Sequence, residues 1–182
     1  MKKPVKIVLI VIIVFAAVLI GGFKYMQYST KQHSPEREVT ATVYGTSVEL
    51  YYNSPSVKGR EIFGELVPYG QVWRTGANEP STVTFGSEVT IEGKSISAGT
   101  YSIWTIPGPE TWDIILNSGS YDWGMGWDGQ VPRDPELDVV IAKATIVPLA
   151  ELQEDFVIRV NEQDPALEFV WEYVMVALPF MP

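Results

Sequence analysis

The residues best equipped for chemistry in this chain stand close together. Lys58, Arg60 and Arg74 place three of the eight cations of residues 36–182 within 17 positions, and Trp73, Asn78 and Glu79 flank Arg74. Guanidinium forks receive carboxylate or phosphate groups bidentately, and a basic spot in acidic surroundings is a selective one. The same arginines could instead tie their segment down by pairing with Glu49, Glu79 or Asp113, and a glycine-rich segment with few other anchors favours that structural pairing. An aromatic platform for the C–H face of a sugar, set beside planar polar groups for its hydroxyls, makes Trp73, Arg74, Asn78 and Glu79 a kit suited to a glycan.

Trp123 and Trp127 extend that kit, because Tyr121–Gln130 is rich in glycine and makes a poor strand and a good loop. Trp104 and Trp112 sit inside strand patterns and are expected in the core. The candidate ligand contacts are thus Arg60, Tyr69, Trp73, Arg74, Asn78, Glu79, Trp123 and Trp127. Asp122, Asp128, Asp134 and Asp138 offer oxygens to calcium, but their spacing is not that of an EF-hand, and solvated loop acids are the plainer reading, so no metal is assigned. Glu79 and Asp113 are the pair a carboxylate-based hydrolase would use. The chain has no cysteine and a single histidine, His33, which lies outside the region that patterns as folded. Ser/His/Asp and Cys/His triads and the usual zinc sites are therefore excluded, and no cofactor is implied.

These residues need a scaffold. Lys58–Glu79 has no clean period of 2 or 3.6, so it is a long ordered loop, either a working surface or a plug closing one end of a sandwich. Ahead of it, Ile7–Phe23 is unbroken apolar or glycine sequence bracketed by Lys2, Lys3 and Lys6 and by Lys24. As a helix these residues reach about 25 Å, close to the roughly 30 Å of a bilayer core. The reading is an uncleaved signal-anchor over 7–23 with a cytoplasmic tail over 1–6, the lysines setting the orientation, against the alternative of a cleaved signal peptide. Without cysteine there is no lipid attachment. Residues 24–38 form a polar stalk, and 39–182 form the body. Residues 36–182 carry eight cations against 22 acids, a formal charge of −14, which speaks against a nucleic-acid partner.

The body switches to period 2. Strands are expected at 47–53, 82–85, 89–91, 95–96, 99–106, 111–117, 138–147, 156–160, 167–171 and 174–178, with a hairpin at Glu92-Gly93, a tight turn at Glu172-Tyr173 and one helical turn within 148–154. Short strands between turn signals with no convincing helix predict an all-β fold, an antiparallel, jelly-roll-like β-sandwich of about 8–10 strands behind one transmembrane helix.

Ser54–Arg60, Ile62-Phe63-Gly64, Leu66–Gly70, Val72–Glu79 and Ala98–Ser102 with Thr105-Ile106-Pro107 resemble the bacterial family catalogued as domain of unknown function 2911. The resemblance covers Val39–Phe180 and implies an all-β extracytoplasmic domain without an assigned activity. The combined reading is a membrane-anchored binding module for a glycan or other envelope component. The alternatives are an assembly module contacting an envelope protein and a carboxylate-based hydrolase.

Overall fold

The computed structural model describes residues 3–126 and 129–182 and divides into two units, 1–33 and 34–182. The first is a helix, α1 (Lys3–His33), of 31 residues. It spans about 46 Å, and its stretch Val5–His33 is long and apolar enough to cross a membrane. The helix runs on through most of the polar stalk. Lys31 and His33 in its last turn complement the negative end of the helix dipole, and His33 bonds back to the carbonyl of Ser29.

The second unit contains ten strands: β1 (Glu36–Val43), β2 (Thr46–Asn53), β3 (Ser81–Phe85), β4 (Val89–Ile91), β5 (Lys94–Ile96), β6 (Gly99–Ile106), β7 (Thr111–Asn117), β8 (Asp138–Thr145), β9 (Val147–Asn161) and β10 (Ala166–Pro179). Six of them make one antiparallel sheet in the order β1-β2-β3-β6-β7-β8. The alternation in sequence sets the faces. Leu50, Val83, Ile103, Ile114 and Ala142 point to one side and are buried, and the long β9–β10 hairpin closes over them with Phe156, Ile158, Phe169, Trp171 and Leu178. Edge-to-face contacts such as Tyr52–Phe156, 5.9 Å between ring centroids, join the two layers. The architecture is therefore an antiparallel β-sandwich, and the small β4–β5 hairpin seals one end by exchanging backbone bonds between Thr90 and Met181.

Two local expectations fail for one reason. Residues 148–154 lie in β9 instead of a helical turn, and Glu172-Tyr173 is no hairpin, because β10 runs straight through it. Glu172 adopts a φ of 57° at an irregularity of the ladder, which spends its turn-like character as a bulge. The chain reverses at 162–165, where the side-chain oxygen of Asn161 accepts from the N–H groups of Gln163 and Asp164 at 3.1 and 3.0 Å.

Candidate functional site

The 54–80 loop divides its side chains between two faces of the body. Ile62, Phe63, Val67 and Trp73 are buried and plug the end of the sandwich. The Trp73 indole stacks on Trp171 at 5.8 Å, meets Phe156 at 5.3 Å and Trp112 at 6.2 Å, and donates Nε1–H to the carbonyl of Gly76 at 3.1 Å. With Phe63 at 6.3 Å as well, the indole is enclosed by four aromatic side chains and has no face left for a sugar, so Trp73 leaves the ligand kit and joins the core. Trp112 belongs to the same cluster, 4.9 Å from Phe63. Trp104 is fully buried on the opposite face of the sheet, where Tyr121 meets it edge-on at 5.4 Å.

Arg60 and Tyr69 stay outside. The Arg60 guanidinium donates to the carbonyls of Val57 and Ser56 at 3.0 and 2.6 Å, so it anchors its own loop through backbone acceptors and not through a carboxylate. Tyr69 is exposed and lies against Gly64, a glycine with a φ of 101° whose Cβ position would sit 3.0 Å from the tyrosine ring.

Arg74 is the exception to structural pairing. Trp73 and Thr105 are antiparallel partners with backbone bonds of 2.7 and 3.0 Å, and both face the core. Arg74 therefore projects to the other face, the one that carries Trp104. Its Nε–H is enclosed without an acceptor, and among the described residues its guanidinium has no carboxylate partner. Burial alone pushes the guanidinium below its ordinary pKa. Glu79, one expected partner, accepts from Asn53 Nδ2 at 3.1 Å, and Asp113, another, pairs with Lys143 at 2.9 Å. Those engagements also withdraw support from a Glu79–Asp113 acid–base pair.

The turn after Arg74 is held in uncommon backbone conformations, with φ of 56° at Thr75, 143° at Gly76 and 59° at Asn78. Buried polar bonds enforce them: Ser81 Oγ donates to the Thr75 carbonyl at 2.5 Å, and Asn78 Nδ2 donates to Asn53 Oδ1 at 3.1 Å. The side chain of Asn78 is thereby committed, but its carbonyl accepts from Gly124 N–H at 2.8 Å. This bond joins the two loops. Gly124 is buried over the stem of Arg74, so closely that a methyl group there would overlap the arginine Cδ.

The feet of the second loop are fastened through Asn117, which is fully buried. Its Oδ1 accepts from Tyr121 Oη at 3.0 Å and Gly119 N–H at 2.8 Å, while Nδ2 donates to the Asp134 carbonyl and to Asp138 Oδ1. Asp138 also pairs with Arg133, and Asp134 caps the short 3-10 turn Pro135–Leu137, so these two acids have structural duties. Trp123 is half-buried beside Gly124. Trp127 and Asp128 lie outside the described residues. The structure thus brings Arg74 and Asn78 together under Gly124, the chain neighbour of the half-buried Trp123, sends Trp73 inward, and leaves Arg60 and Tyr69 on their own stretch of loop. Sequence reasoning passed over Asn53, Asn117 and Gly124. Only the glycine had a signal, the Gly-x-Gly spacing at 124 and 126.

Comparison with known proteins adds one match: a family model described as Protein of unknown function (DUF2911) aligns with residues 34–180. No curated protein and no solved structure matches the chain.

Proposed function

The chain belongs to the DUF2911 family, and from that premise we propose that it is a membrane-anchored, extracytoplasmic binding module for a glycan or other envelope component. The lysines ahead of the apolar run favour a cytoplasmic N-terminus with the acidic body outside. The site is the junction of the 74–78 turn and the 121–126 loop. One observation carries this reading: Arg74 is half-buried with its Nε enclosed, and among the described residues it has no partner, although the body around it has acids to spare. A cation held that way costs stability, and a ligand that completes it is the compensation that a binding protein supplies.

Tryptophan fluorescence of the wild type and Arg74→Ala, each titrated with a panel of envelope glycans, tests the site. A saturable signal lost in a variant that still folds supports it. No signal in either protein, with Arg74→Ala merely melting at a lower temperature, overturns it in favour of a structural loop and a protein partner.

A further inference from the structure

Which chemical group completes Arg74 follows from what the recess offers, and this inference rests on the binding reading above. The stem of Arg74 is covered by Gly124, and Nε is enclosed. The residue nevertheless keeps partial exposure, so the outer end of the guanidinium is the part that reaches solvent. A guanidinium edge is a planar fork, and a carboxylate, with two oxygens in a plane and a single charge, is matched by one fork alone. Receptors for phosphate gather several cations or a row of backbone N–H groups.

Five of the other seven cations of residues 36–182 are engaged elsewhere. Arg60 serves backbone carbonyls, Arg133 pairs with Asp138, Lys143 with Asp113 and Arg159 with Glu168, and Lys94 Nζ donates to the Val139 carbonyl at 2.5 Å. The formal charge of −14 over residues 36–182, from eight cations and 22 acids, further disfavours any ligand of higher negative charge. An uncharged ligand, for its part, would accept hydrogen bonds but leave the charge of the guanidinium uncompensated.

We propose that the Arg74 recess is a carboxylate receptor, taking a single carboxylate carried by a sugar acid or by a peptide of the cell envelope against the outer edge of the guanidinium. The 121–126 loop acts as the clasp. Gly124 is the residue that lets it close on the arginine stem, and the Gly124 N–H to Asn78 carbonyl bond holds it there.

The test is calorimetric titration of the full chain in detergent micelles with glucuronate, its uncharged amide, a dipeptide with a free C-terminus, inorganic phosphate and an uncharged oligosaccharide. The expected result is saturable binding of one carboxylate at least about tenfold tighter than of the amide or phosphate, weakened about tenfold in Arg74→Lys, which keeps the charge and loses the fork. Gly124→Ala keeps the arginine and displaces the loop, and it weakens the same ligand in a body that is still folded at the temperature of the titration. Preference for glucuronate or for the dipeptide tells the sugar acid from the peptide. Equal binding of carboxylate and amide, tighter binding of phosphate, or full retention in Arg74→Lys overturns the carboxylate assignment. Binding of the uncharged oligosaccharide alone overturns it too but leaves the binding module standing, whereas no binding of any probe overturns both.

Discussion

At the scale of single residues, an unpaired, half-buried arginine behaves oppositely to a paired one. If Arg74 held the loop through a carboxylate, Arg74→Met would strand that acid and destabilise the body by about 3 kcal/mol or more. With no partner to strand among the described residues, the same substitution removes a poorly solvated charge and fills its place with an apolar stem. Chemical denaturation of Arg74→Met is therefore expected to show stability unchanged or raised by about 1 kcal/mol, together with loss of ligand binding. Gly76 is the contrasting case. Its φ of 143° and the Asn53 carbonyl 2.9 Å from its Cβ position leave no room for a side chain, so Gly76→Ala is expected to cost about 2 kcal/mol or more in the same assay. The sequence made Arg74 and Gly76 visible as residue types, but not their circumstances. Absence of a partner is a property of distance, and Glu79 stands only five positions away with its carboxylate held by Asn53.

Among elements, the plug and the clasp separate packing from function. Trp73 lies inside a cluster with Phe63, Trp112, Phe156 and Trp171, so Trp73→Ala is expected to lose about 3–5 kcal/mol of stability. Trp123→Ala, in the half-buried clasp, is expected to lose less than about 1 kcal/mol and to weaken binding instead. Unfolding curves and titrations on both variants distinguish an aromatic that holds the fold from one that faces a ligand. The β9–β10 hairpin carries its own pH dependence. Burial pushes the Glu168 carboxyl up, but hydrogen bonds from Asn161 at 3.0 Å and Arg159 at 2.6 Å, with the arginine charge, outweigh it and leave the pKa below the ordinary value. The ionised form is thus favoured by folding, so its contribution is complete above the ordinary carboxylate range and is lost as pH falls through the folded value. Glu168→Gln is expected to flatten that acid limb of the stability curve, measured from about pH 6 to about pH 3.

For the whole molecule, the division into two units predicts that residues 34–182, freed of α1, stay folded and move to the aqueous fraction, while the full chain partitions with membranes. Fractionation with near-UV circular dichroism checks both halves of that statement. Much of this plan was written locally. The 17-residue apolar run, the period-2 alternation of β2 and the pairing of Gly99–Ile106 with Thr111–Asn117 each depend on neighbours in sequence, and each is present in the structure. Local signals also misled where one residue served two ends, as at Glu172, whose positive φ bends a strand without reversing it. Composition and spacing alone determined that this is an apolar helix followed by an antiparallel all-β body with loops rich in glycine and tryptophan. Only the tertiary structure decided that Trp73 turns inward and Arg74 outward, and that Gly124 closes on the arginine stem. The reason is physical: both outcomes hang on contacts between segments far apart in the chain, Trp73 with Thr105 and Asn78 with Gly124. No periodicity encodes which distant carbonyl an N–H will find.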